Sequence, residues 1–102
     1  MKTRLELHEK LVSILGSDQV YFQSPSNVQM KYPAIVYELS GEFTKRSNNK
    51  RYIKYDKYTV THIYKSIRND LKETIMDAFT FVDFDRRFIA DGLYQDVFTI
   101  YW

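Results

Sequence analysis

The strongest constraint in this sequence is the run from Arg51 to Tyr64, RYIKYDKYTVTHIY, which is rich in β-branched and aromatic residues. Alternate positions Tyr58, Val60, His62 and Tyr64 fall on one face of an extended strand. Glu42-Phe43 and a polar tip, Ser47-Asn48-Asn49-Lys50, precede it. The whole stretch therefore reads as a long hairpin or extended arm, and the rest of the fold has to be built around it.

Two helical patterns flank this β material. From Thr3 to Leu15 the apolar residues Leu5, Leu7, Leu11, Val12, Ile14 and Leu15 form a stripe, Thr3 and Glu6 are spaced as a capping box, and Gly16 supplies a left-handed stop. Ser66 and Asn69 are candidate caps for a second helix, whose stripe Ile67, Leu71, Ile75, Ala78 and Phe79 runs to about residue 79, with Lys72, Glu73 and Asp77 exposed. Val20 to Gln23 reads as a short extended piece and Ser24-Pro25-Ser26-Asn27 as a turn. Tyr32-Pro33 forces extended geometry before the strand Ala34 to Leu39, which is expected to end at Ser40-Gly41. Phe81 to Phe84 can extend as a strand. Phe88 to Ala90 joins Leu93–Tyr101 through Asp91-Gly92, a pair that favours a tight hairpin turn. The order α-β-β-β-α-β-β predicts an α+β fold, with two helices packed on one face of a mainly antiparallel sheet and a long basic hairpin arm.

With 102 residues the chain is expected to form a single domain spanning 1–102. Nine Tyr, seven Phe and one Trp supply bulky core material. There is no Cys, which excludes disulfides, thiolate metal sites and cysteine nucleophiles. The reducing cytosol, or an assembly built there, is the simplest setting. No apolar run approaches the roughly 18 residues of a membrane span, and the amino terminus opens into an amphipathic pattern rather than a signal peptide, so a soluble protein is expected.

The net charge of +2 is unevenly distributed. Residues 43–58 hold six bases (Lys45, Arg46, Lys50, Arg51, Lys54, Lys57) and one acid (Asp56), so a +5 segment sits on a body of −3. Bases interleaved with Tyr52 and Tyr55 fit three readings: single-stranded nucleic-acid binding, docking on an acidic protein, or a solvated arm whose charges block edge aggregation. Arg86-Arg87 read as local ion-pair residues.

Catalytic signals are weak. Only His8 and His62 titrate near neutrality by default, and neither has a recognisable setting, so both read as packed or surface imidazoles. Asp83, Asp85, Asp91 and Asp96 match no standard metal loop. The glycines Gly16, Gly41 and Gly92 form no phosphate-binding loop. No enzyme activity, cofactor or metal is expected. In the last strand both parities carry bulk, with Phe98, Ile100 and Trp102 on one side and Val97 and Tyr101 on the other. A second sheet face, or an edge, is therefore expected to meet another subunit or partner.

Several pieces together resemble the tail-completion or head–tail joining (neck, minor capsid) proteins of long-tailed bacteriophages and prophages. They are the amino-terminal helix, the Tyr32-Pro33-Ala34-Ile35-Val36-Tyr37 strand, Asn49 and Tyr52 in the basic arm, the Tyr58-Thr59-Val60-Thr61 strand and the closing run Asp91 to Tyr101. The resemblance implies a non-enzymatic virion protein that forms a homo-oligomeric ring when assembled, and is compatible with a monomer in solution. The ring would join the tail tube to the connector or adaptor beneath the portal, with DNA passing through its lumen. The protein would reside in the host cytoplasm during assembly and then in the virion neck. On this reading the segment Phe43–Tyr58, with Lys45, Arg46, Lys50, Arg51, Tyr52, Lys54, Tyr55 and Lys57, docks on the connector or tail, and Phe98, Ile100 and Trp102 make subunit contacts. The rival readings are a small single-stranded nucleic-acid-binding module that uses the basic aromatic arm, and a small regulatory inhibitor that binds one host protein.

Overall fold

A computed structural model of the protein describes residues 3–23, 30–46 and 52–102, with the side chains of 45, 46, 52 and 53 outside that description. The expected element order is found: α1 (Arg4–Leu15), β1 (Val20–Phe22), β2 (Ala34–Arg46), β3 (Tyr52–Tyr64), α2 (Lys72–Ala78), β4 (Val82–Ala90) and β5 (Leu93–Tyr101). The five strands form one sheet in the order β1-β2-β3-β5-β4, parallel only between β1 and β2.

Local chemistry accounts for the ends of α1. Thr3 Oγ1 accepts from the Glu6 N–H at 3.2 Å, satisfying one of the first-turn donors. Gly16 closes the helix at φ +80°, and its N–H returns to the Val12 carbonyl. Leu7 and Leu11, one turn apart, are fully buried, whereas Leu5 lies off the stripe and is exposed.

The second helix is shorter than its stripe. Ser66 Oγ accepts from the Arg68 N–H and folds Ile67–Asn69 into a separate 3-10 turn. Asp70 Oδ1 then accepts from the Lys72 N–H at 2.8 Å and starts α2 afresh. Side chains that compete for backbone donors divide what periodicity reads as one helix, and Ile67 is left exposed.

The β3 register places the core. Tyr58, Val60, His62 and Tyr64 lie opposite Ile100, Phe98, Asp96 and Tyr94 of β5, and Leu39, Tyr37 and Ile35 of β2 lie opposite Tyr58, Val60 and His62. Both helices pack on this face: Leu7, Leu11, Ile75 and Phe79 form one buried cluster with Val20, Ile35, Tyr37, Tyr58, Val60, Phe98 and Ile100. At the β4–β5 turn Asp91 and Gly92 both have positive φ, +54° and +74°, the geometry of a hairpin turn that matches strand twist.

Two strands differ from expectation. β2 does not end at Ser40-Gly41 but shifts register between Leu39 and Gly41 and continues to Arg46. β4 is one strand rather than two pieces, with a register shift between Phe84 and Arg86. An inserted residue unpairs one position without ending the ladder. No helix among the described residues is long and apolar enough to cross a membrane.

Candidate docking surface

Both register shifts decide where side chains point. Because alternate residues face opposite sides, Leu39 and Phe43 share a parity and would share the helix face in an unbroken strand. The extra residue at Ser40 reverses this. Leu39 lies opposite core residue Tyr58, whereas Gly41 lies opposite Lys57 and Phe43 opposite Tyr55, on the face that carries no helix among the described residues. Ser40 Oγ donates to the Lys57 carbonyl at 3.1 Å across the irregularity.

Phe43 thereby joins an aromatic cluster on the open face. Its ring centroid lies 5.6 Å from Tyr101 and 6.5 Å from Tyr55, and Tyr55 lies 5.3 Å from Phe81. The Phe43–Tyr101 and Tyr55–Phe81 pairs meet edge to face, the arrangement that ring quadrupoles favour. Despite these contacts Phe43 and Phe81 remain 47% and 49% exposed. Elsewhere on this face Val97 and Thr99 are buried, and Thr99 Oγ1 donates to Asp85 Oδ2 at 2.7 Å.

The cluster sits where the β2–β3 pairing extends past β5. The last β3–β5 pair is Lys57↔Tyr101, after which Asp56 and Trp102 exchange backbone hydrogen bonds. From Phe43↔Tyr55 to Arg46↔Tyr52 only β2 and β3 pair among the described residues. Lys54 Nζ bonds Glu42 Oε1 at 3.0 Å; this hydrogen bond and the carboxylate's charge raise the Lys54 pKa, although both groups stay in solvent. Exposed pairs of this kind add little stability. Lys57 and Tyr55 are half-buried. Lys45, Arg46 and Tyr52 belong to the paired strands by backbone, with side chains outside the described residues, while Lys50 and Arg51 lie outside the described residues entirely.

The expected subunit contact is corrected at Phe98 and Ile100. Phe98 and Ile100 are fully buried in this chain's own core, with Phe84 edge-on to Phe98 at 5.3 Å, so neither can meet a neighbour without opening the domain. Trp102 is half-buried on the same face. Its Nε1 donates to the Thr3 carbonyl at 2.7 Å and its ring meets Phe79 edge-on at 5.8 Å, tying the carboxyl terminus to the start of α1.

The second irregularity builds a buried polar group. In an unbroken β4, Arg87 would share the open face with Asp83 and Asp85, but the shift puts it opposite Asp96 on the helix face. Asp96, fully buried, accepts from Arg87 Nε at 2.6 Å and Nη2 at 3.0 Å and from the Tyr64 hydroxyl at 2.9 Å. Arg87 Nη2 also bonds Asp70 Oδ1 at 3.0 Å. The guanidinium thus ties β4 to β5 and to the start of α2, in the local ion-pair role expected of it. Burial pushes the Asp70 carboxyl up, but the Lys72 N–H and Arg87 outweigh that and hold it below its usual value. Burial, the Asp96 hydrogen bond and the Asp96 charge all raise the Tyr64 hydroxyl.

His62, fully buried beside this group, stacks on Tyr64 at 4.6 Å, and neither ring nitrogen has a hydrogen-bond partner among the described residues. Burial lowers its pKa to about 4, against an upward pull from Asp96 and Asp70. His62 is a packed imidazole. His8 Nδ1 lies 2.8 Å from the Tyr37 hydroxyl, which also accepts from Arg4 Nη1 at 3.1 Å. Among the described residues no group of three His, Asp or Glu side chains is placed to hold a metal ion.

Sequence reasoning missed Phe81 as a surface group, the face on which Phe43 lies, and Asp96 as the partner of Arg87. The one local signal was Ser40-Gly41 inside otherwise strand-like sequence, which marks a bulge as readily as a strand end. Comparison with protein-family models and with curated proteins returns no match.

Proposed function

We propose that this chain is a non-enzymatic structural protein of a long-tailed bacteriophage or prophage, which joins the tail to the head connector as a ring. The observation that carries the assembly reading is the aromatic cluster Phe43, Tyr55, Phe81 and Tyr101 on the open sheet face, where the β2–β3 pairing runs past β5. A clustered apolar patch with two half-exposed Phe rings is the usual mark of a protein contact. The phage setting comes from the sequence resemblance. Connector or adaptor and tail-tube proteins are then the partners of the patch and hairpin, DNA passes through the ring lumen, and the protein moves from the host cytoplasm into the virion neck.

Edge-to-face packing favours a protein partner over the nucleic-acid alternative. In each edge-to-face pair the edge of one ring covers a face of the other, which takes that face from a stacking base. The test is complementation of a gene deletion with a Phe43→Ser/Phe81→Ser variant. Its circular dichroism should match wild type while infectious yield collapses; normal yield refutes the assignment. Salt-dependent single-stranded DNA binding lost in Tyr52→Ala/Tyr55→Ala would instead support the nucleic-acid alternative.

A further inference from the structure

We propose that copies of this chain join head to tail, with the β2–β3 ribbon of one copy adding to the outer edge of β4 in the next. This contact deepens the ring reading and rests on it; it takes only the backbone edge of the ribbon and leaves the aromatic patch and the ribbon's faces to the connector or tail. It follows from two open edges and their charge.

The first edge is β4, nine residues long, with β5 on one side and no strand on the other among the described residues. Charged residues and a bulge normally protect such an edge from pairing, and Asp83, Asp85 and Arg86 provide both in its first half. The second half, Phe88-Ile89-Ala90, carries neither, and Ile89 is 64% exposed. The second edge is the ribbon. Its pairs from Phe43↔Tyr55 to Arg46↔Tyr52 lie beyond the last β1 pair, Phe22↔Tyr37, and the last β5 pair, Lys57↔Tyr101. A two-stranded ribbon is marginal by itself and gains from a third strand. Strand addition would give both edges the backbone partners they lack among the described residues of one copy.

Charge selects this pairing over the symmetric one. Residues 70–102, which build α2, β4 and β5, hold three bases and seven acids, whereas residues 43–58 hold six bases and one acid. Pairing β4 with a second β4 brings two acidic regions together; pairing it with the ribbon joins opposite charges. One chain cannot make the contact with itself at Ile89. That residue is level with Tyr94 and hence with Tyr64, ten residues along β3 from Lys54, about 33 Å away at the rise of a strand. A contact between two different surfaces repeats, and it closes into a ring when the rotation permits.

The chain contains no cysteine, so introduced thiols report without background. Full-length Ile89→Cys and Lys54→Cys proteins, each altered at an exposed side chain, are mixed in equal parts and treated with a short bis-maleimide. An aligned contact holds the thiols at millimolar effective concentration, so at ~0.1 mM protein the mixed dimer should exceed either homodimer by about tenfold. In the Ile89→Cys/Lys54→Cys double variant the cross-linked ladder should end at one discrete size. A ladder without a ceiling upholds the contact and overturns the ring. Discrete assemblies in sedimentation without the mixed dimer, or a dominant Ile89→Cys homodimer, overturn the contact and leave the ring standing. A monomer with no cross-link at this concentration overturns the contact.

Discussion

His62 makes stability depend on pH in a way its surroundings specify. The imidazole is fully buried, stacks on Tyr64, and has no hydrogen-bond partner for either nitrogen among the described residues, and burial lowers its pKa from 6.5 to about 4. In the unfolded chain the ring takes its proton near pH 6.5; in the folded chain it resists until about pH 4. Between these values the unfolded state binds more protons, so stability is greatest above pH 6.5 and falls as pH drops towards 4. The interval corresponds to about 3 kcal/mol, of which about 2 kcal/mol is lost by pH 5. His62→Leu, close in volume and without ring nitrogens, removes the titration. Urea unfolding of both proteins at pH 7.5, 6 and 5 isolates the effect from that of the carboxylates common to both. Wild type should lose about 2 kcal/mol more than the variant between pH 7.5 and 5. Parallel losses would show that His62 takes up its proton in the folded state without penalty, and would refute the reasoning.

Three other outcomes follow from the packing. Arg87→Met leaves the buried Asp96 carboxylate with Tyr64 as its remaining side-chain partner among the described residues and should cost about 3 kcal/mol in urea unfolding, nearer the low end for a buried pair because Arg87 is about one-third exposed. Adding Asp96→Asn should recover most of that loss. Leu11→Ala removes a fully buried side chain from beneath α1 and should cost about 3 kcal/mol, read as a lower melting temperature. Gly92→Ala meets no atom within 4 Å, yet must hold φ near +74°, so a loss of about 1 kcal/mol by urea unfolding would measure backbone strain alone.

What the sequence revealed was what is decided locally. Thr3, Gly16 and Asp91-Gly92 act on their own neighbours, and the alternation of Tyr58, Val60, His62 and Tyr64 needs only the pleat, so these features and the α+β order appear in the structure. The two irregularities were not legible because an unpaired residue is defined by the partner strand's register. Ser40 sends Phe43 to the open face, and the shift beside Asp85 sends Arg87 to Asp96. The misplaced subunit contact has a related cause. With bulk on both parities of β5, the sequence does not say which side the helices cover; pairing of Phe98 with Val60 and Ile100 with Tyr58 does. The second helix was overextended because Ser66 and Asp70 each capture a backbone donor, which interrupts an otherwise helical stripe.

The central claim is that this chain joins two preformed parts of a particle. Electron microscopy of particles assembled without it tests this most directly. The account predicts DNA-filled heads and finished tails lying separate in the lysate; complete, joined particles formed without the protein would contradict it.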